Sequence, residues 1–211
     1  MKAEMEARVA LEQGSVADQA RLARAGHDLL VYVNISGVLL PDADFATRAL
    51  ATLKRARGRI GFEVTETAVI QDPDGALANL RRFSEAGIRI AIDDYGSGLS
   101  SLSYLKQLPA SELKIDRMFV SGLIDSHRDP LLVRSSIDLA HALDMEVTAE
   151  GVDDPLALSL LRVMGCDLIQ GYLISPPLGV DAFERFLSTF DHREHLSVPR
   201  LVVPDTGSGR S

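Results

Sequence analysis

The sequence predicts an α/β protein built around a parallel sheet. Short apolar runs rich in Val and Ile alternate with longer segments whose apolar residues recur every three or four positions. The first pattern is typical of buried strands, the second is typical of amphipathic helices, and their alternation indicates βα units. A polar or charged residue also stands at or just beyond the carboxyl end of each predicted strand. A parallel barrel and an open α/β sheet both fit these observations.

Six strands are predicted along the chain. They are "LLVYVNIS" (29–36), "IGFEVTE" (60–66), "IRIAIDD" (88–94), "ELKID" (112–116), "MEVTAE" (145–150) and "CDLIQGYL" (166–173). The segments between them, such as "DGALANLRRFSEAG" and "DPLLVRSSIDLAHALDM", are predicted to be helices. Residues 1–26 are predicted to form a helix that "AGHDL" ends. We expect one domain over residues 1–190 and a mobile tail over residues 191–211, where periodicity is lost.

Composition limits the function classes. A chain of 211 residues with 46% hydrophobic content can bury one sizeable core. The net charge of −8 and the dispersed Lys and Arg residues argue against a nucleic acid polymer as partner. Cys166 is the single cysteine, which excludes an intramolecular disulfide and fits a reducing compartment. We interpret its side chain as a small buried apolar group. No signal-type segment and no run of about 18 apolar residues occurs, so we expect a cytoplasmic protein without a membrane segment.

Polar residues at the strand ends are the candidate functional groups. They are Asn34, Glu63, Glu66, Asp93, Asp94, Lys114, Asp116, Glu150, Asp153 and Gln170. The carboxyl ends of parallel strands lie on one face, so we expect these side chains to converge. Converging carboxylates repel one another unless cations neutralise them, and such oxygen ligands suit Mg²⁺, Mn²⁺ or Ca²⁺. The adjacent Asp93 and Asp94 are therefore predicted metal ligands, and the turn "YGSG" after them allows the backbone to redirect the second carboxylate.

Structural roles are alternatives for each of these residues taken singly. Acidic residues after strands often cap the next helix, and Asp116 and Asp153 are candidates for that role. Asn34 could form a turn, and Gln170 could be a buried amide bonded to backbone. Lys114 could extend to solvent or pair with Asp116. The coincidence of polar groups at six successive strand ends favours the functional interpretation.

The ordered motifs resemble those of EAL domains, bacterial hydrolases of the second messenger cyclic di-GMP. The motifs are "VNIS", "FEVTE", "IDDYGSGLSSLSYL", "LKIDRMFV", "AEGVD" and "IQGYL…PPL". Six motifs in order are far more specific than any one of them, and the resemblance covers about residues 20–187. It implies a TIM-like (β/α)₈ barrel, incomplete here with about six of eight strands. It also implies Mg²⁺ or Mn²⁺ ions that activate water for hydrolysis of cyclic di-GMP to pGpG.

The resemblance assigns roles to individual residues. The family's metal ligands match Asn34, Glu63, Asp93 and Asp94, with Asp93 expected to bridge two ions. Lys114 matches a lysine that holds the attacking water or steadies phosphate charge, and Glu150 matches a glutamate of metal-binding or general-base role. Substrate-binding or supporting positions match Glu66, Asp116, Asp153, Gln170 and Pro177. The family also implies a homodimer, because the loop of Glu66 connects the site with the dimer interface.

The sequence departs from the family at its beginning. It contains no Glu-Ala-Leu tripeptide, and it starts within the helix that follows the family's second strand. We expect the DNA upstream of the Met1 codon to encode the two opening strands and their metal-binding glutamate. Three hypotheses follow: a phosphodiesterase completed by that upstream segment, a short protein that binds nucleotide or a partner without turnover, and a relic that folds only with another chain.

Overall fold

The structure, a computed structural model, describes residues 14–55, 59–96 and 102–191. Its centre is a sheet of six parallel strands, in which each strand pairs with the next one along the chain. The strands are β1 (Leu30–Asn34), β2 (Arg59–Thr65), β3 (Ile90–Tyr95), β4 (Glu112–Ile115), β5 (Glu146–Ala149) and β6 (Leu168–Ile169). The predicted α/β class is confirmed, and the strands form a half-barrel.

Nine helices occur among the described residues. They are α1 (Ser15–Arg24), α2 (Ala43–Arg55), α3 (Glu66–Gln71), α4 (Pro73–Glu85), α5 (Leu102–Leu105), α6 (Arg117–Ser121), α7 (Asp129–Ala142), α8 (Pro155–Val163) and α9 (Val180–Thr189). The predicted break after the first helix is confirmed, since α1 ends before Gly26, which has a φ of 96°. Residues 1–13 of that predicted helix, and residues 192–211 of the predicted tail, lie outside the described residues. No described helix has both the length and the apolarity needed to cross a bilayer.

Strand β2 illustrates how the sequence produces the layers. Phe62 and Val64 are fully buried and alternate with Gly61 and Glu63, as expected when successive side chains point to opposite faces. The Phe62 ring packs edge-on against Phe83 of α4, with ring centroids 4.7 Å apart. One set of β2 side chains therefore packs on the helix layer, and the other set, which includes Glu63, is free to build a site.

The last strand is shorter than predicted. The expectation was a strand over 166–173, but β6 contains only Leu168 and Ile169. Beyond it the chain turns, because the amide N–H of Leu173 donates to the Val152 carbonyl and that of Ile174 donates to the Gly171 carbonyl. The turn is tight: a Cβ atom added at Gly171 would lie 2.1 Å from the Val152 carbonyl oxygen. The apolar residues after Ile169 therefore belong to a turn and do not extend the strand.

The first and last described helices are joined by ion pairs. The guanidinium of Arg21 on α1 lies 2.6 Å from an Asp181 oxygen and 2.7 Å from a Glu184 oxygen on α9. In the part of the chain that the structure describes, β1 and β6 each pair with only one neighbouring strand. The contact between α1 and α9 thus connects the two ends of the half-barrel outside the sheet.

Candidate functional site

Four neighbouring strands, β2 to β5, deliver the central side chains of the site, and β1 lies beside them. Asn34 of β1 pairs in register with Glu63 of β2, and Thr65 of β2 pairs with Asp93 of β3. Glu63 and Asp93 therefore lie on the same face of the sheet, one step apart along the strands. Lys114 of β4 and Glu150, directly after β5, complete the group from the other side. The predicted convergence of strand-end side chains is thus present for Glu63, Asp93, Lys114 and Glu150.

A bulge between β3 and β4 separates the two adjacent aspartates. Ile92 pairs with Leu113 and Tyr95 pairs with Ile115, so Asp93 and Asp94 together stand opposite Lys114. Asp94 has a φ of 55°, in the left-handed region that few residues other than glycine adopt. The predicted redirection of the second carboxylate therefore takes place at Asp94 itself. The following turn also contains Gly96, with a φ of 98°, whereas Gly98 lies outside the described residues.

Three carboxylates surround the ammonium group of Lys114. Its Nζ donates to Glu63 Oε1, lies 2.5 Å from Glu150 Oε1 and lies 3.4 Å from Asp93 Oδ1. Lys114 and Glu63 are buried, with relative exposures of 5% and 8%. The alternative in which Lys114 extends to solvent or pairs with Asp116 is wrong, because the packing directs its side chain into the carboxylate group. We call Glu63, Asp93, Lys114 and Glu150 the carboxylate cluster.

The charges in the carboxylate cluster do not balance. Burial alone would lower the pKa of Lys114, but the hydrogen bonds to Glu150 and Glu63 outweigh it and raise that pKa. Burial raises the pKa of Glu63 and of Glu150 despite the nearby ammonium, and the Asp93 carboxylate raises both further. One cation thus faces three carboxylates, which leaves a surplus of negative charge when all are ionised.

The carboxylate cluster fits a divalent cation. Glu63, Asp93 and Glu150 each offer one oxygen atom, and these three oxygens lie within 4.8 Å of one another. Asp93 Oδ1 is buried and accepts no hydrogen bond from the described residues. A buried carboxylate oxygen without a donor is costly, and a hard cation with oxygen ligands would satisfy it. The oxygen ligands and the surplus negative charge of the carboxylate cluster both favour a divalent cation at this position.

Asp94 lies beside the carboxylate cluster and faces a further acid. Burial raises the pKa of Asp94, and the carboxylates of Asp93 and Asp116 raise it further. Asp116 also caps helix α6, since its Oδ1 accepts the Met118 amide N–H at 2.6 Å. The capping role considered for Asp116 is therefore present, together with its position next to Asp94.

Asp153 does not cap a helix. The residue that caps α8 is Asp154, whose Oδ1 accepts the Leu156 amide N–H at 2.6 Å, while Asp153 is exposed. The capping alternative considered for Asp153 is therefore wrong by one position, because Pro155 begins the helix and the residue immediately before it takes the capping geometry. Asp153 is thus left at the edge of the loop that follows Glu150.

Glu66 supports the turn after β3. It is the first residue of α3 rather than part of a loop, it is 4% exposed, and its Oε2 accepts the Gly96 amide N–H at 3.1 Å. Thr65, the cap of that helix, accepts the Ala68 amide N–H. The helix begins directly after the strand, so Glu66 is held between β2 and the backbone that carries Asp93 and Asp94.

Three further predicted residues lie at the surface. Asn34, Gln170 and Pro177 are all exposed. Gln170 is therefore not the buried amide considered above, although its backbone N–H donates to the Ala149 carbonyl at 2.9 Å. None of the three touches the carboxylate cluster through a described hydrogen bond. Their predicted roles in binding metal or substrate stay predictions.

A second buried polar group was missed by the sequence analysis. Glu112, at the start of β4, accepts a hydrogen bond from the Tyr32 hydroxyl at 2.5 Å and one from the Thr148 hydroxyl at 2.6 Å. Arg89 Nη2 lies 3.9 Å from the same carboxylate. The signal in the sequence is a Glu at the start of the predicted strand "ELKID". This group lies at the opposite end of β4 from Asp116, and it connects β1, β4 and β5 inside the sheet.

Comparison with known proteins agrees with the resemblance found in the sequence. The family model of the EAL domain matches residues 4–177. Cyclic di-GMP phosphodiesterase NbdA of Pseudomonas aeruginosa is 39% identical over 177 residues, which are 82% of this chain and 23% of that protein. The bifunctional diguanylate cyclase/cyclic di-GMP phosphodiesterase MucR of the same organism is 38% identical over 157 residues, 72% of this chain and 23% of that protein. The chain thus spans about a quarter of the length of these relatives.

Solved structures show the same architecture. The PaMucR phosphodiesterase in complex with c-di-GMP superposes with a TM-score of 0.79 at 33% identity, covering 85% of this chain and 73% of that one. The EAL domain of Mycobacterium smegmatis DcpA superposes with a TM-score of 0.77 at 34% identity, covering 82% of this chain and 80% of that one. The identities and the TM-scores together show that this chain resembles both structures in sequence as well as in fold.

Proposed function

Because this chain belongs to the EAL domain family, we propose that it is a metal-dependent phosphodiesterase that hydrolyses cyclic di-GMP to pGpG. The observation that carries the proposal is the carboxylate cluster, in which three oxygens from Glu63, Asp93 and Glu150 lie within 4.8 Å of one another. A surplus of carboxylates, one buried and two half-buried, is costly for the fold alone, so its presence at the carboxyl ends of the strands favours a functional role.

The proposed cofactor is Mg²⁺ or Mn²⁺. Glu63, Asp93 and Glu150 would hold it, and Asn34 and Asp94 are the proposed additional ligands, since they lie on β1 and at the bulge of β3. When bound, such an ion lowers the pKa of water and stabilises negative charge on the phosphoryl oxygens. The surplus of negative charge in the carboxylate cluster would be reduced at the same time.

Lys114 and Glu150 are the proposed catalytic residues. The Lys114 ammonium stays protonated at neutral pH because its carboxylate partners raise its pKa, so it can orient a water molecule or the phosphate. Glu150 is proposed to accept the proton of the attacking water, and burial raises the pKa of this carboxylate when no ion is bound. The water oxygen bonds to phosphorus, the bond from phosphorus to the 3′-oxygen breaks, and the 3′-oxygen takes up a proton from solvent, which opens the ring to pGpG.

The remaining predicted residues are proposed to act around this centre. Glu66 would keep the Gly96 turn in place, and Asp116 would position Asp94. The exposed Asp153, Gln170 and Pro177 would contact the nucleotide from the loops that follow β5 and β6. A domain that ends near residue 190 is supported by the end of α9 at Thr189. Homodimerisation and a cytoplasmic location stay predictions.

The test is turnover with and without metal. The protein is incubated with cyclic di-GMP in Mg²⁺, in Mn²⁺ and in EDTA, and pGpG is measured by chromatography. We expect product only with metal, and we expect Asp93→Asn to lower kcat by about a hundredfold, the size of effect seen when one transition-state contact is lost. The control is Asp138→Asn, an exposed aspartate on α7 that pairs with Arg134. Binding of cyclic di-GMP without product would show a binding module instead, and neither binding nor product would contradict both functions.

A further inference from the structure

The segments that follow the strands carry almost no positive charge. The ten residues after each of the six strands contain ten Asp and Glu residues in total but only one Arg or Lys, which is Arg117. A cyclic dinucleotide brings two anionic phosphodiester groups to this face. Anion binding there requires a compensating cation, since the surrounding charges are of the same sign.

Lys114 does not meet this requirement alone. Its ammonium lies within the carboxylate cluster and is buried, so its charge is already compensated by Glu63, Asp93 and Glu150. Arg117 is different because its side chain is exposed. Within the described ranges, its guanidinium forms no ion pair and no hydrogen bond.

Arg117 also lies next to the site. It is the first residue of α6, directly after Asp116, which in turn faces Asp94. Its aliphatic stem packs on Gly151, the residue after Glu150: a Cβ atom added at Gly151 would lie 2.2 Å from Arg117 Cγ. The side chain therefore lies between the start of α6 and the loop after β5, against the residue that follows Glu150.

We propose that Arg117 binds a phosphodiester group of the cyclic dinucleotide, an inference that rests on the proposed function. The planar guanidinium presents paired N–H donors that match two phosphate oxygens. Together with the proposed divalent cation, Arg117 thus supplies the positive charge that the segments after the strands otherwise lack. It contributes to substrate binding and leaves the chemical step to Lys114 and Glu150.

The experiment compares KM and kcat for cyclic di-GMP in the wild-type protein, Arg117→Ala and Arg117→Lys. We expect Arg117→Ala to raise KM about tenfold or more while kcat changes less than about threefold, as for the loss of one charge-assisted hydrogen bond. Arg117→Lys keeps the charge but not the paired donors, so an intermediate KM is expected. The control is Arg162→Ala, since Arg162 is exposed near the end of α8, away from the carboxyl ends of the strands.

A second substrate distinguishes the phosphate from the guanine base. Bis(p-nitrophenyl) phosphate has a phosphodiester but no base, so the loss in kcat/KM caused by Arg117→Ala should also occur with this compound. An effect confined to cyclic di-GMP would overturn the phosphate assignment. An unchanged KM, or a loss in kcat alone, would overturn the role of Arg117 in binding.

Failure of the proposed function would give a different result. If the wild-type protein binds cyclic di-GMP without hydrolysing it, the dissociation constants from equilibrium dialysis replace KM, and the same tenfold weakening is expected for Arg117→Ala. If the wild-type protein neither binds nor hydrolyses cyclic di-GMP, the proposed function is wrong and the role of Arg117 is wrong with it.

Discussion

The Lys114 ammonium lies 2.5 Å from the Glu150 carboxylate, so an ion pair between a buried lysine and a half-buried glutamate joins β4 to the segment after β5. Lys114 contacts Glu63 and Asp93 on its other side. One side chain therefore connects three strand ends and neutralises part of their charge. Its removal should affect stability as well as catalysis.

We predict that Lys114→Met lowers the free energy of unfolding by about 3 kcal/mol in EDTA. One buried and two half-buried carboxylates would lose their counter-charge, and breaking one side of a buried ion pair typically has a cost of this size. Urea unfolding monitored by circular dichroism measures the change. The deficit should shrink in Mn²⁺, because the ion would replace the missing positive charge. The matched control is Lys106→Met, which changes an exposed lysine after α5. Equal stability of the Lys114 variant and the wild type in EDTA would contradict the prediction.

We predict that Mg²⁺ or Mn²⁺ raises the melting temperature. A ligand that binds only the folded state stabilises it by about 2.7 kcal/mol at a hundred times its dissociation constant, which corresponds to roughly 5–10 °C here. Asp93→Asn should abolish most of this increase. In EDTA, the same variant should be no less stable than the wild type, because it removes a carboxylate that raises the pKa of Glu63 and Glu150.

Differential scanning fluorimetry with and without metal checks the second prediction. Asp138→Asn is the matched control, since Asp138 is exposed and contacts only the guanidinium of Arg134 among its described ion pairs. An unchanged melting curve of the wild type across millimolar metal would leave capping and solvation as the roles of these carboxylates.

The sequence predicted the convergence of the strand ends because parallel βα units place their carboxyl ends on one face whatever the details of packing. It could not predict the partners of Lys114, since the direction of a long side chain depends on the bulge that places Asp93 and Asp94 opposite it. Asp154 caps α8 in place of the candidate Asp153 for a similar reason. A sequence pattern locates the start of a helix only to within one or two residues.

The group around Glu112 was beyond sequence reasoning for a different reason. Tyr32 and Glu112 are 80 positions apart, and their contact requires β1 and β4 to face the same interior. Gly61 of β2 permits it, because a Cβ atom added there would lie 2.4 Å from the Tyr32 ring. No local pattern in the sequence connects these three positions.

We predict that Tyr32→Phe lowers the free energy of unfolding by about 2 kcal/mol. The variant keeps the ring that packs on Gly61 but removes the hydroxyl that donates to the buried Glu112 carboxylate. Tyr172→Phe is the matched control, since Tyr172 is 70% exposed and should change stability by less than about 0.5 kcal/mol. If the two variants unfold at the same urea concentration, the Tyr32 hydrogen bond contributes nothing measurable.

We predict that the Cys166 thiol reacts slowly with iodoacetamide in the folded protein and that its rate rises with pH up to about 11. Burial raises the pKa of this thiol to about 11, and the thiol donates to the Leu168 carbonyl at 3.1 Å. The thiolate is the nucleophile, and a free thiol has a pKa of about 8.5, so at pH 8 the folded protein should react at least about a hundredfold more slowly than the urea-unfolded protein.

Because the folded state keeps the proton and the unfolded state loses it, the stability contributed by this group is complete below pH 8.5 or so and is lost as the pH rises towards 11. Cys166 is the only cysteine in the sequence, so mass spectrometry of the alkylated protein reports on this one site. A native reaction rate that levels off near pH 8.5 would contradict the raised pKa and would show that the thiol is in contact with solvent.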